Sequence, residues 1–193
     1  MYDFRADIAE YAEKLRKVIA ELDADQINAA MNALMKAYEK ESTVYIFGNG
    51  GSAATASHFV CDFNKGVTAD LDRKFRFICL SDNVPSVTAI ANDCGYDNIF
   101  IMQLVNKLRP EDVVVAISGS GNSPNVIKAV EYAKTVGSPV IGLVGYGGGK
   151  LLPLSDFPIH VNINDMQKVE DVHMMLDHMM SQIIARRLGR PMC

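Results

Sequence analysis

The sequence of 193 residues has no tryptophan, few cysteines and no long apolar run. None of its hydrophobic stretches reaches the about 18 to 20 residues that a membrane-spanning helix needs, and residues 1–10 alternate charges with small side chains where a signal peptide would be apolar. With a formal net charge of −4, the chain has no basic stripe that would gather a nucleic-acid backbone. These absences predict a cytoplasmic protein that binds no membrane and no nucleic acid directly.

The four cysteines show no CxxC spacing; they are Cys61, Cys79, Cys94 and Cys193. Such spacing would indicate a zinc-thiolate or redox site. Mostly apolar neighbours are typical of buried thiols in a reducing compartment. We therefore predict free cysteines that act as small buried hydrophobes.

What the chain does contain is an alternation of helical and strand patterns. Apolar residues recur at helical spacing in two leading segments, residues 4–22 and 27–38. Five short apolar runs follow, at residues 44–47, 75–80, 113–117, 140–144 and 159–163. Further helical patterns lie at residues 53–63, 84–92, 100–108, 125–136 and 166–188.

Apolar strands that alternate with helices are typical of a parallel sheet covered on both faces. We predict an α/β protein with a single domain over residues 1–193 and an α/β core at residues 42–188. The leading helices, within residues 1–41, pack either on one face of the sheet or against the helices of another subunit.

Two strand ends carry glycine- and serine-rich loops. The first is Asn49-Gly50-Gly51-Ser52, whose glycines permit positive φ and close backbone approach, and whose serine can cap the next helix. The second is segment 118–123 (SGSGNS), which places three hydroxyls directly before a helix.

Ligands of parallel sheets bind beyond the carboxyl ends of the strands. Free amides, hydroxyls and a helix dipole at one point suit a phosphate dianion, although ordinary turns have a similar composition. Neither loop has the lysine of a P-loop, which disfavours a nucleoside triphosphate. A third glycine cluster at residues 145–150 is either a flexible connection or, through Lys150, a source of positive charge near an anion.

Titratable side chains cluster on two of the predicted helices. His58 and Asp62 are four residues apart and share one helix face, so they either grip a metal or substrate together or form a surface hydrogen bond. The last helix carries Glu170, His173, Asp177 and His178 among four methionines, which are typical of a packed helix. Glu170 and His178 are about 12 Å apart along one helix, so both could bind the same metal ion only at full reach. A metal site with ligands from two chains is therefore an alternative.

Segments 47–52 with His58, 92–96 (NDCGY) and 118–123 resemble the sugar isomerase (SIS) domain family, and within it the phosphoheptose isomerases. The likeness extends over nearly the whole chain. It implies a three-layer αβα sandwich with a five-stranded parallel sheet of the flavodoxin-like SIS type, preceded by two N-terminal helices used in oligomer packing. It also implies a homotetramer with sites at subunit interfaces and zinc as a cofactor.

The resemblance also implies a role for each matching residue. The residues that would hold the phosphorylated sugar are Asn49, Gly50, Gly51, Ser52, Asp93, Ser118, Gly119, Ser120 and Ser123. The metal ligands would be His58, Asp62, Glu170 and His178. The catalytic residues would be Asp62 and His178.

Three positions depart from the family pattern. Asp62 replaces a catalytic glutamate and is one methylene shorter. Glu170 replaces a glutamine ligand, which makes a metal site more anionic. Gly119 replaces a threonine and lacks its hydroxyl. Together these departures indicate a changed substrate or a lost activity, with the phosphate loops intact.

The resemblance leaves two functions open. One is aldose–ketose isomerisation through an enediol, between sedoheptulose 7-phosphate and D-glycero-D-manno-heptose 7-phosphate or between related sugar phosphates. Asp62 would then remove the proton next to the carbonyl and His178 would relay protons at the oxygens. The other is a non-catalytic SIS protein that binds a phosphosugar or a partner protein, such as a replication initiator. Retention of His58, Glu170 and His178 favours the enzyme.

Overall fold

The computed structural model describes residues 1–190 as two leading helices followed by five strands that alternate with helices. The leading helices are α1 (Arg5–Ala20) and α2 (Ala24–Glu39). The strands are β1 (Thr43–Gly48), β2 (Arg76–Cys79), β3 (Val113–Ser118), β4 (Val140–Gly145) and β5 (Phe157–Val161). The other α-helices are α3 (Gly51–Cys61), α4 (Val84–Cys94), α5 (Ile101–Leu104), α6 (Pro124–Val136), α7 (Leu151–Leu154) and α8 (Met166–Arg187).

The five strands form one parallel sheet in the order β2-β1-β3-β4-β5. In its register, Gly48 of β1 lies opposite Ile117 of β3. This order confirms the predicted flavodoxin-like sheet. The chain changes its direction of winding between β1 and β3, which is where ligands bind in sheets of this kind.

Alternate strand residues face two separate cores. Ile46 and Val115 pack with α2, α3 and α8 on one face, whereas Phe47 and Ala116 pack with α5, α6 and α7 on the other. Because the central strands are buried on both faces, their sequences are continuously apolar. The three-layer prediction is therefore confirmed.

Helix α1 packs less deeply against the rest of the protein than α2 and α8, because Val18 is its one buried residue. It meets α8 through polar contacts: the Lys168 ammonium lies 3.8 Å from the centre of the Tyr11 ring, and the Tyr11 hydroxyl donates to the Asp171 carboxylate. The same ammonium lies 2.6 Å from Asp165 Oδ2. These contacts leave the apolar side chains of Phe4 and Ile8 exposed.

Several predicted elements differ from the structure in their bounds, and two of these differences have a clear local cause. The last strand begins two residues before the predicted 159–163, because β5 is an edge strand and tolerates Pro158. The helix predicted at 100–108 is limited to α5, since Val105 is extended and Asn106 has a φ of 62°. Residues in these conformations cannot continue a helix.

Among the cysteines of the described residues, Cys61, Cys79 and Cys94 are free thiols, as predicted. Only Cys79 is buried, and burial raises its pKa to about 11. Cys61 and Cys94 are exposed, so the prediction of burial was wrong for them. The prediction for Cys193 lies outside the described residues.

Within residues 1–190, no helix is both long and apolar enough to cross a membrane. Even α8, with 22 residues, carries charged side chains at Lys168, Glu170 and Asp171 in its first third.

Candidate active site

The two glycine- and serine-rich loops leave neighbouring strands at the same edge of the sheet. They follow β1 and β3, and Gly48 at the end of β1 pairs with Ile117, one residue before the end of β3. Asn49 in the first loop and Asn125 at the start of α6 exchange two side-chain hydrogen bonds, each 2.9 Å long. The loops are thus joined directly, and groups from both can contact one ligand.

Each loop leads into a helix that begins without a side-chain cap. The capping position of α3 is Gly50, which has no side chain, and that of α6 is Ser123, whose side chain does not bond the first turn. Helices α2, α4 and α8, in contrast, are capped by Asp23, Asn83 and Asp165. The first turn of α3 thus leaves backbone N–H groups for other acceptors. In α6, Pro124 has no N–H and the Val126 amide donates to Asn125 Oδ1, which leaves the Asn125 amide. The helix dipole favours an anion at both ends.

Ser52 does not cap α3, contrary to the prediction. Gly50 turns the chain with a φ of 55° and a ψ of −122°, so the helix begins at Gly51 and Ser52 lies in its first turn. An L side chain rarely adopts such backbone angles. Ser52 is 7% exposed, with its hydroxyl at the uncapped end of the helix.

The serines of the second loop lie at different depths. Ser118 is buried, and its hydroxyl is 3.2 Å from that of Ser123. Ser120 is exposed, and its hydroxyl accepts a hydrogen bond from the Asn122 amide. The loop therefore offers a hydroxyl pair at the strand end and a third hydroxyl at the surface.

Met166 occupies the space beside Gly119. A Cβ atom built on Gly119 would lie 2.7 Å from the Met166 sulfur, closer than real contacts allow. The threonine of the family pattern would therefore not fit unless Met166 moved. The presence of glycine instead of the family threonine at residue 119 is thus explained by the packing of Met166, at the start of α8, against this position.

The third glycine cluster supports the second loop and is not a free connection. Gly145 N donates to Gly119 O at 2.8 Å, and Leu151 N donates to Gly121 O at 3.0 Å. The Lys150 amide donates to the Asn122 side chain at 3.1 Å. The alternative of a flexible connection was wrong, because backbone hydrogen bonds tie both ends of the cluster to the loop.

Four titratable side chains converge, from the second half of α3, the residue after it and α8. The ligand atoms of His58, Asp62, Asp177 and His178 all lie within 4.8 Å of one another. The Nε2 atoms of His58 and His178 are 3.1 Å apart, and His58 Nε2 is 3.7 Å from Asp62 Oδ1. One chain therefore brings together three of the four predicted metal ligands.

Local helix geometry helps to place Asp62. At this residue α3 passes into a π-helical segment, Asp62–Val67, which packs against α8. π-Helical turns are rare and frequent at functional sites. The wider turn begins directly at the residue predicted to act as the base.

Asp177 joins the cluster, although no role was predicted for it. Its side chain is fully buried, and neither carboxylate oxygen has a hydrogen-bond partner within residues 1–190. Burial, together with the nearby charge of Asp62, raises the pKa of Asp177 to about 8. The signal that could have identified it is a carboxylate next to His178 on an otherwise apolar stretch of helix.

Glu170, the fourth predicted ligand, lies elsewhere and is not part of this cluster. Its carboxylate is against the start of α3, where a Cβ atom built on Gly51 would lie 2.5 Å from Glu170 Oε1. A negative charge is favourable at a helix N-terminus. Residue 51 thus has to be small for this carboxylate to approach.

The segment that carries Asp93 contributes through a different residue. Asp93 is exposed at the end of α4, and its carboxylate accepts a hydrogen bond from the Asn92 side chain. Tyr96, three residues on, donates from its hydroxyl to Asn49 Oδ1 at 2.9 Å. Tyr96 and Asn125 are site residues to which the sequence analysis gave no role, because the contacts that reveal them are long-range.

Two histidines lie outside the cluster. His173 is 1% exposed, neither ring nitrogen has a hydrogen-bond partner within residues 1–190, and burial lowers its pKa to about 4. The nearby backbone of Val144 opposes this shift only in part. His160 Nε2 lies 2.6 Å from the Tyr146 carbonyl oxygen. Neither histidine therefore belongs to the cluster: His173 is packed in the core, and His160 contacts the backbone of Tyr146.

A family model described as the SIS domain matches residues 8–145, more than half of the chain. The chain belongs to the SIS domain family. It is similar to a phosphoheptose isomerase of Helicobacter pylori, 36% identical over 93% of this chain and 92% of that protein. It is also similar to a probable phosphoheptose isomerase of Thermoplasma acidophilum, 34% identical over 92% of this chain and 97% of the relative.

Solved structures of SIS proteins superpose closely on this chain. The phosphoheptose isomerase GmhA from Neisseria gonorrhoeae gives a TM-score of 0.85 at 28% identity, over 94% of this chain and 98% of that chain. A phosphoheptose isomerase from Francisella tularensis gives 0.87 at 26% identity, over 96% and 100%. The predicted family and fold are confirmed by these likenesses.

Proposed function

We propose that this SIS protein is a phosphosugar isomerase that interconverts sedoheptulose 7-phosphate and D-glycero-D-manno-heptose 7-phosphate. Relatives named phosphoheptose isomerase, 33–38% identical over most of the chain, support an isomerase. The proposal rests mainly on the relative positions of two groups of residues. Two uncapped helix ends and a group of serines lie at one edge of the sheet, and α3 runs from this edge to the cluster of His58, Asp62, Asp177 and His178.

The length of α3 supports a seven-carbon substrate. Gly51 and His58 are seven residues apart on this helix, a rise of about 10 Å. That distance is comparable to the separation of the phosphate from the carbonyl end in an extended heptose 7-phosphate. A phosphate at the loops would thus place the reacting carbons near His58 and Asp62.

In the proposed site the phosphate accepts hydrogen bonds from first-turn amides of α3, from the Asn125 amide at the start of α6, and from the hydroxyls of Ser52, Ser118, Ser120 and Ser123. Such contacts combine helix-dipole and charge-assisted hydrogen bonding. Asn49 and Asp93 contact the sugar. The phosphate holds the substrate in place and takes no part in bond breaking.

The proton transfers fall to the other end of the sugar. The Asp62 carboxylate removes the proton from the carbon next to the aldose carbonyl and returns it to the neighbouring carbon, which yields the ketose through an enediol. The His178 imidazole moves the proton between the two oxygens, since an imidazole can both donate and accept near neutral pH. Both side chains belong to the cluster of four.

The cluster fits a divalent metal ion, for which we propose zinc. Two imidazole nitrogens 3.1 Å apart with carboxylates close by form a donor set that zinc accepts. When bound, zinc would polarise the substrate carbonyl and stabilise the enediolate. His58 and His178 would hold it, with carboxylate support from the same cluster.

We further propose a cytoplasmic homotetramer with sites at subunit interfaces. The observation that supports assembly is the apolar face of α1, on which Phe4, Ile8 and Ile19 are 61%, 66% and 38% exposed. Burial of such a face against other subunits would remove apolar surface from water. Light scattering on the purified protein tests the state: a fourfold mass is expected, and a monomer contradicts it.

The isomerase is tested by proton NMR of the purified protein in heavy water, with sedoheptulose 7-phosphate and a panel of other ketose phosphates, with and without zinc. We expect interconversion with deuterium uptake at the reacting carbon. His178→Ala should abolish both, and His160→Ala, in a histidine outside the cluster, should not. If the protein binds a sugar phosphate of the panel but turns over none of them, it is instead a non-catalytic SIS protein.

A further inference from the structure

Asp177 and His178 are neighbours on α8 with opposite surroundings. His178 is exposed, whereas Asp177 is 0% exposed. Their ligand atoms nevertheless both lie within 4.8 Å of those of His58 and Asp62. The Asp177 carboxylate therefore points from the protein interior into a cluster that is open to solvent on its histidine side.

A buried carboxylate without a partner is unfavourable. Transfer of an ionised carboxylate from water to the interior costs several kcal/mol unless the charge is paired or binds a metal. No side chain within residues 1–190 donates a hydrogen bond to Asp177, and the nearest charge, Asp62, repels it. A bound cation would offset the charge of this carboxylate.

We propose that Asp177, together with His58 and His178, holds the divalent metal ion of this site, and that Asp62 is left free to act as the base. This inference rests on the proposed function, in which the metal and the base serve the same reaction. It gives the third ligand position to Asp177 instead of Glu170, whose carboxylate lies at the start of α3 against Gly51.

The spacing of the donors agrees with this assignment. Two ligands of a tetrahedral zinc ion, each bonded at about 2.0 to 2.1 Å, lie about 3.3 Å from one another. The observed Nε2 separation of His58 and His178 is 3.1 Å. Three protein ligands with an open fourth position is the arrangement that catalytic zinc sites use.

The assignment also removes a conflict in the chemistry. A carboxylate that is tightly bound to a metal is a poor proton acceptor, so Asp62 cannot serve well as ligand and base together. With Asp177 as the ligand, each carboxylate has one task. The shorter reach of Asp62, compared with the glutamate of the family pattern, then concerns proton transfer alone.

The test is zinc affinity, measured on the full metal-free chain by competition with a chromophoric chelator and without any sugar. Asp177→Asn should weaken zinc binding at least 100-fold, since it removes a direct ligand. Asp62→Asn should weaken it less than 10-fold while turnover is lost. Glu170→Ala, which removes the alternative ligand altogether, should bind zinc within about twofold of the unchanged protein.

A second measurement separates loss of a ligand from loss of the fold. Asp177→Asn keeps the shape of the side chain and puts no charge in the interior, so the metal-free variant should melt no lower than the unchanged protein. Zinc should raise the melting temperature of the unchanged protein, because a ligand of the native state stabilises it, and should have little effect on the variant.

Three results would overturn the proposal: an unchanged protein that binds no zinc, an Asp177→Asn variant with unchanged affinity, or a Glu170→Ala variant that loses it. Because the titration contains no substrate, it is independent of turnover. A protein that binds zinc through Asp177 but isomerises no sugar would refute the proposed function and leave this inference standing.

Discussion

The side-chain amides of Asn49 and Asn125 bond to each other in both directions, with both N···O distances at 2.9 Å. Each oxygen also accepts a second hydrogen bond, from the Tyr96 hydroxyl at Asn49 and from the Val126 amide at Asn125. The pair thereby fixes the loops after β1 and β3 relative to each other. A sugar that reaches the Asn49 oxygen has to compete with Tyr96.

Asn125→Ala is expected to loosen this junction. Asn125 is 1% exposed, and its loss leaves the Asn49 side chain and the Val126 amide without their partners. Each buried polar group left unpaired costs about 1 to 3 kcal/mol. We expect a lower free energy of unfolding by about 2 to 4 kcal/mol in urea titration, and a lower kcat/KM because the two loops lose their alignment.

The control for this change is Asn32→Ala. The Asn32 amide bonds only to its helix neighbour Asn28, on an exposed face of α2. The same substitution there should leave both quantities nearly unchanged. Equal effects at the two positions would show that the asparagine pair does not organise the site.

Ser118→Ala tests the phosphate loops. Ser118 is 4% exposed, and its hydroxyl faces that of Ser123 at the strand end. Removal of one hydroxyl that bonds a charged ligand costs about 1.5 to 3 kcal/mol, so kcat/KM should fall roughly 10- to 100-fold. Most of the change should be in KM, since the phosphate is bound alike in the ground state and the transition state.

A matched serine lies at the opposite end of the sheet. Ser138 is also buried, and its hydroxyl donates to the Asp112 carbonyl at 2.8 Å. Ser138→Ala should lower stability by about 1 kcal/mol through the lost hydrogen bond and leave KM unchanged. If KM moved equally in both variants, the hydroxyl of Ser118 would have no part in binding phosphate.

Much of the sheet and of the loops could be predicted from the sequence, because these features are local. The apolar runs of β1 and β3 are continuous, and each is followed by its glycine and serine residues within the next six positions. The parallel register then brings the loops together. His58 and Asp62 share a helix face for an equally local reason, their spacing of four residues.

The residues that were missed depend on contacts far apart in sequence. Tyr96 reaches Asn49 across 47 positions, and Asp177 meets Asp62 only because α8 packs beside the end of α3. Glu170 was placed by a family pattern that has an uncharged glutamine at this position. Its carboxylate instead lies against Gly51, where the start of α3 favours negative charge.

His173 should make the fold sensitive to acid. Burial lowers its pKa to about 4 in the folded chain, whereas an unfolded histidine titrates near 6.5. The unfolded chain therefore binds more protons between these values, and stability is lost as the pH falls from about 6.5 to about 4. Above that window, His173 is neutral in both states and has no effect on the pH dependence.

His173→Leu is expected to remove this part of the acid sensitivity. Between pH 7 and pH 5 the unchanged protein should lose on the order of 2 kcal/mol more than the variant, measured by urea unfolding of metal-free protein at each pH. His160→Leu is the control, since this histidine lies at the Tyr146 carbonyl and is not fully buried. Parallel pH profiles for unchanged protein and His173→Leu would contradict the expectation.

Gly119→Thr would restore the residue of the family pattern, and we expect it to destabilise this chain. The new Cβ atom would lie 2.7 Å from the Met166 sulfur, so the methionine would have to move. Overpacking of this kind costs about 1 to 3 kcal/mol. Urea unfolding of the single variant measures the cost.

Met166→Ala in the same chain should recover most of that loss, because it removes the atom with which the threonine collides. The two changes should therefore be strongly non-additive, with a coupling free energy of about 1 kcal/mol or more. Gly147→Thr is the matched control, since a Cβ atom there meets nothing within 4 Å. Additive effects at residues 119 and 166 would mean that Met166 is not what keeps this position a glycine.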